Sequence, residues 1–475
     1  MQRERRFSGA RSRSLSLNPG GQGDLGAIMI IMTSAEGFRE LGEAGWRWVR
    51  DQVRWDDGPW IPESPDSAIP GDPENMHSGT GGLAHTLAEI RQLREWEDDE
   101  AELADAIAIR VQAATGSRTT TSYFEGLVSD IGVLVALEAD GVQEALARLL
   151  ELAEDVGWAE RSSSGLPRLS FNDACLGTGG VLLGAVWAGG ELGTQVATHA
   201  ADVLLAEAEP TTAGVTWHPL PPRYQQMPEL PNWSHGVAGV SAALAVGSAY
   251  LGRADLADAA RQGAEHLVSL AQVDDGGFAV PHHVPRVSTD EEEFAWGWCH
   301  GPAGTSRLFP ALKMAGVGVL AGLRVDEWHR RCIRSLRRSG IPRRLRPGFW
   351  DNDGRCCGTA GVGDVLLDSW QRTGEDDDLA FALDLGQALV ERAHREQHSA
   401  YWQFVEHRNA DPLLAPGVGW MQGAAGIGAF LLRLSRVLEQ GPTAAAVARM
   451  DSWWTLPIGV ASRHPPRPTA DDWKG

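Results

Sequence analysis

A short pattern, Gly-x-x-Gly, occurs seven times along this 475-residue chain, and it constrains the fold more than any other feature. Each copy precedes a segment rich in Ala, Gly, Val and Leu, whereas the segments between copies carry apolar residues at spacings of three and four. Such self-similarity is the signature of a repeat architecture. The copies begin at Gly79, Ser129 (degenerate, Ser129-Asp130-Ile131-Gly132), Gly177, Gly236, Gly301, Gly358 and Gly423.

Two kinds of helix are predicted to alternate along the chain. Segments 240–251 and 427–434 are apolar around most of the helical circumference, as expected for buried inner helices. Amphipathic outer helices are predicted at 100–114, 143–156, 195–209, 255–272, 326–338 and 377–396. The pattern predicts an all-α fold of two concentric helix rings around a central cavity. Pro310 lies inside the fifth inner helix and should shorten or kink it.

The repeats predict one helical domain over residues 34–462. Residues 1–33 are rich in Arg, Ser and Gly without apolar periodicity, so we expect a disordered N-terminal extension, with Met29 or Met32 as alternative starts. Residues 463–475 contain several prolines and are expected to form a disordered tail.

Charge and composition restrict the partners. A formal net charge of −21 argues against nucleic-acid binding, which needs a basic face. No apolar run approaches the roughly 18 residues of a membrane helix, and no secretory signal is evident. Five cysteines in a chain of this length do not form a disulfide framework. We therefore expect a cytoplasmic protein with reduced thiols that is not integral to a membrane.

Three cysteines indicate a metal site. Cys299, Cys356 and Cys357 lie just before glycines of the fifth and sixth repeats, and a closed ring would bring these loops together. Three thiolates with one open position suit catalytic zinc. The third ligand stays open between Cys357 and His300, which adjoins Cys299. The other two cysteines are predicted to pack in the interior: Cys332 in an outer helix and, with weaker support, Cys175 before Gly177.

His235 and Asp173 are candidates for proton transfer. His235 immediately precedes Gly236, and an imidazole at this position has a pKa suited to acid–base work near neutrality. Asp173 lies just ahead of Gly177, where it could orient the histidine, relay a proton or serve only as a loop residue. His77 is predicted to be structural, and His282-His283, between two prolines, to lie in an exposed loop.

Together these residues resemble the lanthionine synthetase C-like family, from about residue 35 to 460. The resemblance implies a seven-fold α/α barrel with zinc in its central cavity. It implies that Cys299 and Cys356 are zinc ligands, that His235 is the active-site histidine, and that the segment containing Asp173 contributes to catalysis. Its most specific motifs are Ser234-His235-Gly236-Val237-Ala238-Gly239, Trp298-Cys299-His300-Gly301-Pro302-Ala303-Gly304 and Cys356-Cys357-Gly358-Thr359-Ala360-Gly361.

The resemblance also implies an activity. Members of the family cyclise lanthipeptides: a cysteine thiolate of a dehydrated precursor peptide adds to dehydroalanine or dehydrobutyrine, giving a thioether ring. The chain has no convincing kinase or phosphate-binding motif, so a separate dehydratase, or kinase and lyase, is an expected partner. Glutathione addition by a relative of the same family and a non-catalytic zinc-stabilised peptide-binding scaffold remain alternatives. A prenyltransferase subunit is disfavoured because its Asp-Cys-His ligand set is missing from the sequence.

One residue departs from the common family pattern. Most members have Cys-His-Gly where this chain has Cys356-Cys357-Gly358, although some resemble it in having three cysteines. A third thiolate makes the zinc centre more anionic. The hypothesis is that a substrate thiolate bound there is more nucleophilic, so that cyclisation is faster and less selective.

Overall fold

A computed structural model of the protein describes residues 34–69, 72–160, 169–273, 276–288, 293–343, 352–405 and 411–465. The predicted extension, residues 1–33, and residues 466–475 of the predicted tail lie outside the described residues. Within the described part, helices account for most of the chain. They are α1 (Ala35–Gln52), α2 (Thr80–Arg91), α3 (Asp98–Thr115), α4 (Leu127–Ala136), α5 (Val142–Leu152), α6 (Thr178–Ala188), α7 (Gly190–Ala206), α8 (Val237–Leu251), α9 (Ala254–Leu270), α10 (Pro302–Thr305), α11 (Leu308–Met314), α12 (Val325–Arg338), α13 (Thr359–Thr373), α14 (Asp376–Arg392) and α15 (Ala424–Gln440).

The helices form the predicted two rings. The inner ring consists of α2, α4, α6, α8, the broken pair α10 and α11, α13 and α15; the outer ring consists of α1, α3, α5, α7, α9, α12 and α14. All residues of α6 are buried, whereas α12 buries one face and exposes arginines on the other. The ring closes because α1, at the start of the described chain, packs against α15, the last inner helix. The all-α, seven-fold α/α barrel predicted from the repeats is therefore confirmed.

Short antiparallel hairpins decorate the connections between helices. Their strands are two or three residues long and are peripheral to the barrel. The pairs are β1 (Ala159–Glu160) with β2 (Leu169–Ser170), β3 (Glu209–Pro210) with β4 (Val215–Thr216), β5 (Val319–Leu320) with β6 (Leu323–Arg324), β7 (His394–Glu396) with β8 (Ser399–Tyr401), and β9 (Phe404–Val405) with β10 (Leu413–Leu414).

Every inner helix begins after a glycine, and the reason is steric. The backbone of the preceding loop, about six residues upstream, occupies the space that a Cβ would need at each of these glycines. The N-cap residues are Gly79, Gly126, Gly177, Gly236, Gly301, Gly358 and Gly423. Glycine has no side chain that could cap the helix, so the repeated spacing in this chain reflects close backbone approach rather than capping chemistry.

The second repeat begins three residues earlier than the sequence predicted. Its N-cap is Gly126, where a Cβ would lie 2.6 Å from the amide nitrogen of Ser122. Ser129 thus occupies the position of the second glycine rather than the first. A serine is tolerated there because its hydroxyl accepts a hydrogen bond from the Met76 amide at 3.1 Å.

The second glycine of each pattern packs against loop backbone and, in several units, against the preceding unit. At Gly180, a Cβ would lie 2.6 Å from the carbonyl oxygen of Ala174 in the same loop. At Gly82, it would lie 2.5 Å from the Cβ of Trp420, which belongs to the seventh unit. Contact between the first and seventh units is the same kind of contact that joins successive units, so the ring is closed at its centre.

The predicted disturbance at Pro310 is also present. The fifth inner helix is split into α10 and α11, and the break lies at Ser306 and Arg307, one turn before the proline. Proline has no N–H to donate to the carbonyl of Ser306. That carbonyl lies 3.1 Å from Nδ1 of the buried His329 instead.

Replacing a glycine of the pattern should destabilise the barrel, whereas an unconstrained glycine should tolerate the same change. For Gly180→Ala, we expect the free energy of unfolding to fall by about 1–3 kcal/mol, since the new methyl group overlaps the Ala174 carbonyl. Gly116→Ala is the matched control, because nothing lies within 4 Å of its Cβ position. Urea unfolding followed by circular dichroism measures both; equal stabilities for the two variants would contradict the steric explanation.

Candidate functional site

The seven loops that precede the inner helices form a closed circle, here called the loop ring. Backbone hydrogen bonds join six of the seven pairs of neighbouring loops. They run from Met76 N to Phe124 O (2.8 Å), Tyr123 N to Cys175 O (2.9 Å), Ser234 N to Cys299 O (2.9 Å), Cys299 N to Cys356 O (3.2 Å), Cys356 N to Met421 O (2.9 Å) and Met421 N to His77 O (3.0 Å). Each loop therefore presents residues at the same height, and equivalent positions of the repeat become neighbours in space.

The loop ring brings the three predicted metal-ligating cysteines together. One sulfur atom from each of Cys299, Cys356 and Cys357 lies within 4.8 Å of the other two, and the Sγ atoms of Cys299 and Cys357 are 3.3 Å apart. None is in a disulfide. Cys299 and Cys357 are buried, while Cys356 is partly accessible. Among the described residues, this is the one group of three or more His, Cys, Asp or Glu side chains that converge in this way.

The cysteine thiols strongly influence one another. Hydrogen bonds from Cys299 and from Cys357 hold the pKa of Cys356 well below its usual range. Burial raises the pKa of Cys299 and of Cys357 far above the ordinary thiol value. Of the three thiols, that of Cys356 therefore ionises most readily.

The donor set fits zinc. Three soft sulfur donors on two adjacent loops, close enough to share one ion, match the three-protein-ligand arrangement of catalytic zinc sites. His300 follows Cys299 directly, but its imidazole is not among the converging donors. The geometry thus favours Cys357 over His300 as the third ligand, and the assignment stays a prediction.

Asp173 and His235 form a hydrogen-bonded pair in neighbouring loops. Nδ1 of His235 lies 3.2 Å from Oδ2 of Asp173, whose side chain is fully buried. The other carboxylate oxygen of Asp173 accepts hydrogen bonds from the amides of Cys175 (2.8 Å) and Leu176 (2.6 Å). Asp173 therefore serves its own loop and orients the imidazole at the same time, which combines two of the roles that the sequence left open.

The electrostatics of this pair favour a protonated histidine. Burial acts to lower the pKa of His235, but the charge of Asp173 and the hydrogen bond between the two outweigh it, so the pKa is raised above its ordinary value. The side chain is 26% exposed, so solvent can reach it. Because Nδ1 faces Asp173, Nε2 is the nitrogen available for proton transfer.

A row of histidines next to the cysteines was not predicted. The ring centroids of His235 and His300 are 5.4 Å apart, those of His300 and His282 are 4.2 Å apart, and those of His282 and His283 are 4.3 Å apart. The expectation that His282-His283 lies in an exposed loop is wrong, since both side chains are partly buried beside the site. Their loop is held by a hydrogen bond from the His282 amide to the Glu293 carbonyl at 2.7 Å. No repeat position marks them, so only the pair of histidines between prolines could have drawn attention to them.

Two further residues of the loop ring lie close to the cysteine cluster. His77 is among the groups that lower the pKa of Cys356, and it packs edge-on against Phe124 at 5.3 Å; its predicted structural role stays a prediction. Cys175 is buried, in keeping with the packing role predicted for it. Cys332 is fully buried in outer helix α12.

The protein is thus an α/α barrel whose central loops carry a three-cysteine cluster, and known proteins share the barrel fold. The model of the family "Lanthionine synthetase C-like protein" matches residues 71–439. The chain belongs to that family. No curated protein matches it significantly.

Two solved structures are similar. One is a nisin cyclase that is 13% identical to this chain. The aligned region covers 76% of this chain and 88% of the nisin cyclase chain, the TM-score is 0.53, and the two share the fold. The Lin0763 protein from Listeria innocua, 11% identical, covers 83% of this chain and 96% of its own length with a TM-score of 0.45. Within the described residues, no helix combines the length and apolarity required to cross a bilayer.

The His235–Asp173 pair should be visible in a titration. We expect His235 in the parent to titrate above the ordinary histidine value, and Asp173→Asn to lower its pKa because the charge of the partner is lost. Because the pKa is raised in the folded state, the stabilisation from the pair is full below about pH 6.5 and disappears as pH rises through the folded value. NMR of histidine-labelled protein and urea unfolding at about pH 6 and about pH 9 measure the two effects.

Asp258→Asn, at an exposed position of α9, is the control. A His235 pKa that does not move in Asp173→Asn, or a stability difference between parent and variant that is larger at high pH than at low pH, would contradict the pairing.

Proposed function

We propose that this protein is a zinc-dependent lanthionine synthetase that closes thioether rings in a dehydrated precursor peptide. The observation that carries the proposal is the convergence, on one loop ring, of the cysteine cluster with the His235–Asp173 pair in a chain of the lanthionine synthetase C-like family. A thiol-binding cation and a proton donor on adjacent loops are what this addition requires. The nisin cyclase fold supports the same reading.

In this proposal, Cys299, Cys356 and Cys357 hold the zinc ion, which supplies Lewis acidity that favours the thiolate form of the substrate cysteine. The cluster keeps its sulfur donors away from bulk water, since two of the three cysteines are buried. Trp298, adjacent to Cys299, is fixed by a hydrogen bond from its indole N–H to Asp451 at 3.0 Å. This hydrogen bond fixes the position of the fifth loop, to which Trp298 belongs.

The reaction is an addition that conserves mass. The S–H bond of the peptide cysteine breaks and its proton passes to solvent, a bond forms from sulfur to the β-carbon of the dehydro residue, and the C=C π bond becomes the electron pair of an enolate. The α-carbon then receives a proton. We assign His235 as the donor through Nε2, with Asp173 holding the Nδ1–H and stabilising the charged imidazole. The raised pKa of His235 keeps it protonated for this step near neutral pH. The histidine that protonates the enolate regains a proton from solvent, so the proton count is unchanged.

Substrate and partners belong to the same proposal. The substrate is a peptide that already contains dehydroalanine or dehydrobutyrine, and a separate enzyme introduces these residues. Reduced cysteines in the site are consistent with a reducing compartment such as the cytoplasm.

The parent should bind one zinc ion per chain through the cysteine cluster. We expect Cys356→Ser to lose the ion, because one of three thiolate ligands is removed. Cys332→Ser is the matched control, a buried cysteine of an outer helix that should leave the zinc content unchanged. Elemental analysis after gel filtration in a weak chelator gives the stoichiometry. Zinc retained in full by Cys356→Ser would refute the assigned ligands.

Cyclisation should depend on His235 while zinc binding does not. With a synthetic peptide that holds one cysteine and one dehydroalanine, we expect His235→Ala to slow ring formation by about a hundredfold or more. Because the product has the mass of the substrate, loss of alkylatable thiol is the readout. His199→Gln, in outer helix α7, is the control. A parallel reaction with glutathione distinguishes ring closure from adduct formation by mass, and full activity in His235→Ala would sink the catalytic assignment.

A further inference from the structure

A buried ion-pair cluster lies beneath the loop ring. It consists of four arginines and three aspartates whose side chains are 8% exposed or less: Arg307, Arg355, Arg433, Arg449, Asp364, Asp368 and Asp451. Arg307 pairs with Asp451, and Arg355 with Asp364. Further contacts run from Arg433 to Asp368 (2.6 Å) and to Asp364 (3.2 Å), and from Arg449 to Asp364 (3.5 Å) and to Asp451 (3.9 Å).

The cluster is not electrically balanced. Four positive and three negative side chains leave a surplus of one positive charge, and the adjoining buried pair of Arg436 and Glu89 adds one charge of each sign and does not change it. The arginines hold the pKa values of Asp364 and Asp451 low despite burial, so these carboxylates are ionised. An uncompensated charge in a protein interior is costly unless an opposite charge lies nearby. The surplus therefore points to an anionic group next to the cluster.

The cluster abuts the loops that carry the cysteines. Arg307, Arg355, Arg449 and Asp451 line a chamber of about 20 Å³, room for about one water molecule, whose other walls include loop-ring residues such as Trp298. Two residues that are next to candidate ligands in the chain connect the cluster to them. Arg355 directly precedes Cys356. Trp298, whose indole N–H donates a hydrogen bond to Asp451, directly precedes Cys299.

Part of the cluster is supplied by a segment outside the loop ring. The two ends of residues 446–462 meet through a parallel bridge between Ala446 and Ala461, with hydrogen bonds from Ala446 N to Val460 O (2.9 Å) and from Ser462 N to Ala446 O (2.8 Å). Arg449 and Asp451 belong to this segment. Their charges can therefore be changed without altering the sequence of any cysteine loop.

We propose that the surplus positive charge of this buried cluster stabilises a metal centre built on three thiolates, and so permits Cys357 as the third ligand. The inference rests on the proposed zinc site. A zinc ion with three thiolates carries a net charge of −1, whereas two thiolates and a neutral imidazole give a neutral centre. The surplus of the cluster equals the extra negative charge that Cys357 introduces, and in an interior of low polarity the two charges attract strongly.

The first test is a double-mutant cycle on zinc affinity. Arg449→Met leaves three arginines and three aspartates, a balanced cluster. We expect it to weaken zinc binding about tenfold in the parent but less than about twofold in Cys357→His, where the centre is already neutral. Competition with a chromogenic chelator at fixed pH gives the dissociation constants. The sulfur-to-cobalt charge-transfer band of cobalt-substituted protein gives an independent readout of the thiolate ligands.

The second test reverses the sign. Asp451→Asn keeps an oxygen for the Trp298 indole but raises the surplus to two positive charges, so zinc binding in the parent should be as tight or tighter. Thr455→Val is the control from the same segment, since it removes a buried hydrogen bond to Asp368 without changing charge. Circular dichroism and gel filtration establish that each variant is folded.

The outcomes separate this inference from the zinc site itself. If the parent binds no zinc, the proposed metal site fails and the inference fails with it. If the parent binds zinc but Arg449→Met weakens it equally in both backgrounds, or if Arg449→Met and Asp451→Asn both weaken it in the parent, only the inference is overturned. If Cys357→His does not bind zinc, the test is made in the parent alone. There, Arg449→Met should weaken zinc binding and Asp451→Asn should not, and any other result overturns the inference.

Discussion

The close approach of each loop backbone to the glycine that starts the following helix is the contact on which the rest of the structure depends. A loop carbonyl or amide lies where a Cβ would otherwise be, so the loop folds tightly back onto its own helix. Only loops held in this way can reach their neighbours and exchange backbone hydrogen bonds around a closed circle. The spacing of the cysteine sulfurs is a consequence, because two adjacent loops at one height bring Cys299 and Cys356 together without any dedicated scaffold.

This steric origin explains how much of the fold could be predicted. A position that has no room for a side chain must be glycine, and glycine is visible in the sequence. The repeat and the two rings could therefore be predicted, and so could the disturbance at Pro310. The second unit was misplaced by three residues because Ser129 fills the second glycine position and a later Gly132 completed a false match. The cysteines, His235 and Asp173 lie at or near equivalent repeat positions, which is why they could be singled out; their chemical roles stay predictions.

The remainder of the site could not be predicted because it does not follow the repeat. His282 reaches His300 from the connection between α9 and α10, where no periodicity marks it. The buried arginines are hidden for a different reason. Arg433 lies within segment 427–434, which the apolar pattern places in a buried inner helix, and it is 1% exposed; the sequence does not show which acidic side chains pair with it. Burial of charge is decided by partners from distant helices, and local sequence carries no record of them.

The ring also determines where chemistry can take place. The cysteines occupy the fifth and sixth loops, His235 the fourth and Asp173 the third, so the candidate groups span one continuous arc. The seventh, first and second loops complete the circle and contribute Met421, His77 and Phe124. A peptide bound across this arc would place its thiol toward the cysteines and its dehydro residue toward Nε2 of His235. Backbone hydrogen bonds join the fourth, fifth and sixth loops of the arc, and the side chains of Asp173 and His235 join the third loop to the fourth, so the separation of the cysteines from His235 is a property of the fold. Under the proposed function, the peptide must then adapt its conformation to the arc, which limits the peptides whose two reactive residues can meet.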